Sequence, residues 1–306
     1  MAQLACAHRL PRIIRDVVQL VERSVWDREV ASSTLAIPTY MYDYQSYKQK
    51  IDQYLHAFLI SKRKDLLHIH KDGEDVINKI LSIISEGKTI RGSLVLFTHD
   101  VLKGNRKKEA MREAAAFELI QTGFLVHDDI IDHEEIRRGH PCLHIQYKNE
   151  GKAICAGDLL FFLAFELLKA SPIQEISNNI FEEVTAAQIV DITYSMQQTQ
   201  PTQKEIISLY KYKTARYSFS LPMMAGAMLA KADMTTIHLL ELLGESMGII
   251  FQIKNDIKGT ISDKREDKKT LIRFYDVQPI ITMYARYVNN YIKKLPPDFS
   301  QLLMFL

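Results

Sequence analysis

Turn-forming residues are scarce in this chain of 306 residues, of which 12 are glycine and 9 are proline. All-β folds use such residues at frequent turns, so the shortage argues against a sandwich or barrel and for long helices. Cysteine is rarer still. Cys6, Cys142 and Cys155 are an odd number at no metal-ligand spacing, which excludes a disulfide framework and a thiolate zinc site and favours unpaired thiols in a reducing compartment. Neither sign of charge dominates: 39 basic and 37 acidic residues leave a formal +2, no argument for nucleic acid or an anionic membrane as partner. No long hydrophobic run is present either. The most apolar stretch, Leu159 to Leu168, contains Glu166 and follows Asp158, well short of the roughly 18 uncharged residues a bilayer crossing needs. The first residues lack the apolar run and cleavage pattern of a secretory signal. A cytoplasmic location is the expectation.

What the chain does have is helical periodicity. Leu10, Ile13, Ile14, Val17, Val18, Val21 and Val25 recur at helix spacing within an N-terminal extension, residues 1–41. Packing helix and organellar targeting segment both stay open for it, although Asp16, Glu22, Asp27 and Glu29 weigh against targeting. From residue 42 to 306 one all-α domain is expected, with helices over 44–61, 75–85, 109–132, 153–169, 178–196, 203–228, 237–258 and 277–294. The 109–132 segment is apolar nearly all round, as a central helix enclosed by others must be. The fold class is therefore a helical bundle whose core can hold a ligand cavity.

That central helix ends in His127-Asp128-Asp129-Ile130-Ile131-Asp132. Asp128 and Asp132 are four apart and project from one face, where like charges repel. Surface acids at a helix end are the plainer reading of a lone tandem, but the dozen apolar residues before it count against that. Two carboxylates on one face suit Mg2+, a hard cation that takes oxygen ligands and keeps several waters. Arg137 and Arg138 follow closely, and paired guanidiniums suit a ligand that is itself a polyanion. Lys88 and Arg91, three apart, are expected on one helix face, while Lys213-Thr214 and Lys268-Lys269 add cations downstream. Each is singly an ordinary surface charge. Together they describe a cavity with a metal wall and a cationic wall, fit for two diphosphates.

With these residues in view the sequence resembles the trans-isoprenyl diphosphate synthases, the farnesyl, geranylgeranyl and polyprenyl diphosphate synthase family. The motifs fall in family order: GKTIR at 87–91, DDIID with its trailing RR at 128–138, AGD at 156–158, QIVD at 188–191, KT at 213–214, FQIKND at 251–256 and KKTL at 268–271. The resemblance implies an isoprenoid-synthase-type bundle, a homodimer, two or three Mg2+ ions, and isopentenyl diphosphate plus an allylic diphosphate as substrates. It implies that Asp128 and Asp132, supported by Asp129, bind Mg2+ on the allylic diphosphate, which Arg137 also contacts. Lys88, Arg91, Gln121 and Arg138 would hold isopentenyl diphosphate. Lys213 and Lys268 would neutralise the departing pyrophosphate, Thr214 and Gln252 would face the developing cation, Asp191 would match a family acid, and Asp256 would hold metal on a second wall. A product of fifteen to twenty carbons is expected from the bulk of Phe124, one turn before Asp128, above Ile120 and Phe117. Ordinary core packing explains the same residues.

The second acidic motif departs from the family. It reads Asn255-Asp256-Ile257-Lys258-Gly259, so metal on that wall should bind more weakly. Asn255, Gly259 and Asp263 also have the spacing of a class I terpene cyclase triad, without its hydroxyl. A cyclase-like enzyme and a weakly active subunit of a heteromeric synthase are therefore alternatives to an elongating prenyltransferase.

Overall fold

The computed structural model describes residues 44–70, 72–262 and 269–306, and they are helical almost throughout. The expected helix within residues 1–41 lies outside these residues, as do Asp263 and Lys268. The described residues fall into two compact units, 44–174 with Ala225–Lys231, and 175–224 with 232–306.

In the first unit, α1 (Tyr44–Ile69) buries Tyr47, Ile51, Leu55 and Leu59, a stripe at four-residue steps. α2 (Asp72–Ile84) begins with Asp72, Glu74 and Asp75, acids that complement the positive end of the helix dipole. α3 (Ile90–Val101) is a helix the periodicity does not reveal, because it is buried on nearly every side. It also corrects the expectation for Lys88 and Arg91. Thr89, with φ 53°, is the turn before α3, so Arg91 belongs to the first helical turn and Lys88 to the loop ahead of it. The two do not share a helix face.

The central helix is α4 (Lys107–Ile131), where Ala114, Ala115, Ala116, Phe117, Leu119 and Ile120 are all buried. Beyond it, strands β1 (Ile136–Arg137) and β2 (His140–Pro141) pair across Arg138-Gly139, both with positive φ, 54° and 82°. That is a two-residue hairpin turn of the mirror-image type, for which glycine is favoured. After the short α5 (Leu143–Tyr147), α6 (Glu150–Leu168) starts at Asn149, whose side chain accepts the Lys152 N–H, and lies along α4. The approach is close: a Cβ at Gly157 would fall 2.4 Å from His127 Nε2. The glycine of the AGD motif therefore makes room for the histidine before the tandem acids.

In the second unit, α7 (Gln174–Met196) precedes α8 (Gln203–Tyr210), which opens on a capping box between Thr202 and Glu205. The 203–228 segment is not one regular helix. Lys211–Ser220 winds as a π-helix before α9 (Leu221–Leu229), whose residues from Ala225 on belong to the first unit, resumes the ordinary turn. Pro222, in the first turn of α9, has no N–H to donate, and the register changes there. Within α10 (Met234–Ser262), Met234–Gly259 is long and apolar enough, by length and composition, to cross a bilayer. Leu240, Leu243, Met247, Ile249, Ile250, Ile253 and Ile257 are instead buried in protein. The core of this unit closes with α11 (Leu271–Phe274) and α12 (Gln278–Ile292), and a 3-10 turn spans Pro297–Phe305.

Candidate active site

The last turn of α4 separates its three acids. Asp132 ends the helix, its N–H donating to the Asp128 carbonyl at 2.8 Å, and both residues are partly exposed. Asp129 lies a third of a turn away, buried, and its carboxylate accepts the Arg137 Nε. The Cys142 thiol beside it is pushed up to about 12 by burial first and by the Asp129 hydrogen bond next, which keeps it protonated at neutral pH. The same carboxylate, with Thr122, Leu125, Arg137, Arg138 and Cys142, lines a cleft. Among the described residues no group of three or more His, Cys, Asp or Glu side chains is placed to hold a metal ion. Asp128 and Asp132, four residues apart at the end of α4, offer only oxygen donors, the chemistry that suits a hard ion such as Mg2+.

The hairpin parts the two arginines. Arg137 turns to Asp129, whereas Arg138 reaches Gly87, its Nη1 3.2 Å from where a Cβ there would stand. Burial, then the Arg137 charge, holds the Arg138 pKa below its ordinary value; Arg91 adds to this and Glu118 opposes it. Arg91 and Arg137 are therefore both close enough to repel Arg138, and a bound polyanion relieves that repulsion. Lys88 is exposed in the adjoining loop, and Gln121 is half-buried on α4.

Glu118, one turn before Gln121, is a residue the sequence motifs pass over. It is only 6% exposed, and its Oε1 accepts the Gly92 N–H at 2.8 Å. Thr89 makes no side-chain cap on α3, so Glu118 satisfies that helix end from the neighbouring helix, beside Arg91. Burial raises its pKa, and Arg91 and the Gly92 bond pull it back. The available signal was a lone charge inside the apolar run Ala114–Ile120.

Phe117 and Ile120 are core residues, 1% exposed each, while Phe124 is partly exposed and leans on Phe161 of α6 with ring centroids 5.1 Å apart. Phe161, also against the His127 ring, is a second residue the sequence did not single out.

In the second unit, Lys213 of the π segment pairs with Asp191 of α7. The Thr214 hydroxyl donates to Gln252 Oε1 at 2.9 Å, and Gln252 Nε2 donates to Asp256 at 2.8 Å. Arg216 bonds Glu183 at 2.7 Å, Glu245 at 2.9 Å and Glu241 at 3.1 Å, fastening the segment to α7 and α10. π turns recur at functional positions, and here one carries the lysine and threonine of the KT motif. Asn255 is exposed. Lys268, and Asp263 of the cyclase-type triad, fall outside the described residues.

The sequence profile of the polyprenyl synthetase family matches residues 74–276. The chain belongs to that family. A geranylgeranyl diphosphate synthase of Saccharolobus solfataricus is 34% identical over 191 residues, 59% of this chain and 56% of the relative; the chain thus spans little more than half of that relative. A short chain isoprenyl diphosphate synthase of Methanocaldococcus jannaschii is 31% identical over 242 residues, 73% of this chain and 69% of the relative. Among solved structures, a geranyltranstransferase from Thermotoga maritima superposes with a TM-score of 0.72 at 27% identity, over 86% of this chain and 96% of that one. The chain therefore has the fold of this polyprenyl synthetase family, and its all-α architecture is that of the superposed enzyme.

Proposed function

We propose that residues 42–306 act as a magnesium-dependent prenyltransferase, which joins isopentenyl diphosphate to an allylic diphosphate and yields a product of fifteen to twenty carbons. The observation that carries this is the neighbourhood of α4: the carboxylates of Asp128 and Asp132 end the helix whose flank meets Arg91, Arg137 and Arg138. Asp128 and Asp132 would hold the metal, which when bound supplies positive charge to the leaving diphosphate. Arg137, oriented by Asp129, contacts the same diphosphate with the rest of its guanidinium. Lys88, Arg91, Gln121 and Arg138 hold the isopentenyl diphosphate, so the two reactants meet as an oriented pair. Lys213 and Lys268 neutralise released pyrophosphate, and the carbonyl dipole of Gln252 with the Thr214 hydroxyl faces the allylic cation. The isopentenyl double bond attacks the allylic C1, and a proton leaves the condensed cation to pyrophosphate. Apolar walls exclude the water that would quench that cation.

The relatives' names support the same substrate class. A homodimer is part of the proposal, and α6 supports it with Ile154, Phe162 and Phe165 on its exposed face. Sedimentation of wild type against Phe162→Glu tests that contact; a mass unchanged by the substitution counts against it. The function is tested by incubation with Mg2+ and labelled isopentenyl diphosphate, with and without allylic primers. Incorporation that requires a primer is the expected result. Hydrocarbon from a primer alone points to the cyclase, and no turnover points to a partner subunit.

A further inference from the structure

Asp256 is the acid retained where the family resemblance expects a second aspartate-rich wall, and both its carboxylate oxygens accept hydrogen bonds from the protein. The Tyr210 hydroxyl donates to one and Gln252 Nε2 to the other. The chain of bonds continues at each end: the Tyr210 oxygen accepts the Leu271 N–H at 3.0 Å, and Gln252 Oε1 accepts the Thr214 hydroxyl at 2.9 Å. Four elements, α8, the π segment, α10 and α11, are joined through one carboxylate.

The described residues next to Asp256 in the chain oppose a divalent cation. Asn255 is neutral and exposed, and Gly259 offers no side-chain donor. Residues 252–259 carry Lys254 and Lys258 against the single Asp256, a net positive charge. Drawing Asp256 onto a metal would also strip Tyr210, 5% exposed, of its acceptor, at about 1–3 kcal/mol for the buried group left unsatisfied. Among the described residues, this wall does not fit the metal that the family resemblance implies.

We propose that Asp256 binds no metal ion and is instead the acceptor of a Tyr210–Asp256–Gln252–Thr214 clamp that positions Gln252 and Thr214. The inference rests on the prenyltransferase reading for what those two residues face. The clamp itself is tested without that reading. Mn2+, a paramagnetic substitute for Mg2+, is titrated with inorganic pyrophosphate and bound ions are counted by electron paramagnetic resonance. Asp256→Asn should leave the count of the wild type unchanged; a lower count overturns the proposal. Asp128→Asn should lower it, and an unchanged count there refutes the metal role of α4 while leaving the clamp standing. Should Asp256→Asn not fold, Tyr210→Phe keeps the carboxylate and serves in its place: an unchanged ion count and a lower melting temperature are expected, and an unchanged melting temperature overturns the clamp. In turnover, Asp256→Asn should lower kcat by roughly tenfold to a hundredfold, without moving the Mg2+ concentration for half-maximal rate. A raised Mg2+ requirement marks a ligand and overturns the proposal.

Discussion

The Nε of Arg137 donates to the buried carboxylate of Asp129, eight residues earlier in the chain. The bond divides the labour of the tandem acids. Asp129 orients an arginine, and the proposed ion-binding role falls to Asp128 and Asp132. Asp128→Ala is therefore expected to cut turnover by about a hundredfold or more while the melting temperature stays near that of the wild type. Asp129→Ala should instead cost stability, about 1.5–3 kcal/mol for a lost bond to a charged group. Chemical denaturation beside a turnover assay checks both; equal stability losses in the two variants refute the division.

Glu118 caps α3 from α4 and sits beside the cations assigned to isopentenyl diphosphate. Glu118→Ala leaves the Gly92 N–H unsatisfied in a buried position, a loss of about 1–3 kcal/mol. Its kinetic mark should be a raised KM for isopentenyl diphosphate with the KM of the allylic primer unchanged. A rise in both, or in neither, removes the positioning role.

Glu113 sets a pH dependence of stability. Burial raises it from 4.5 to about 7, only partly offset by the Ser171 hydrogen bond, and its Oε2 has no hydrogen-bond partner. In the window between those values the folded chain keeps the proton and the unfolded chain releases it. The favourable contribution is thus complete below pH 4.5 and is lost as pH rises through about 7. The loss is on the order of 3 kcal/mol. Glu113→Gln should melt at a higher temperature than the wild type above that window and flatten the pH profile, which calorimetry across the range can read. Parallel profiles for the two proteins would rule this out.

Phe124 is the partly exposed member of the Phe117, Ile120, Phe124 series and is propped by Phe161. Phe124→Ala should shift the product toward longer chains, and Phe161→Ala should shift it the same way by removing the prop. Chromatography of dephosphorylated products measures the distribution; an unchanged profile in both variants means the floor lies elsewhere.

Much of the architecture is legible in the chain because helix periodicity is local. The stripe Tyr47, Ile51, Leu55, Leu59 and the enclosed run ending at Asp128 identify their helices from residue spacing alone. α3 is only 12 residues long and buried on nearly every side, so it shows no stripe, and the face expected to join Lys88 to Arg91 is absent. The π winding at Lys211–Ser220 is equally silent, since no short motif encodes an extra residue per turn. Site chemistry divides along the same line. The pairing of Asp128 with Asp132 is settled by a four-residue interval on a helix.

Asp129 for Arg137, Gly92 for Glu118 and Tyr210 for Asp256 come from other elements, up to 46 residues distant for Tyr210 and Asp256. Composition and spacing alone decided an all-helical chain with an acidic pair at the end of its central helix. Tertiary structure decided which acid orients an arginine, which glutamate caps a neighbouring helix and which aspartate is spent on a tyrosine. Hydrogen bonds act over about 3 Å, and only the folded chain brings such donors and acceptors within that reach.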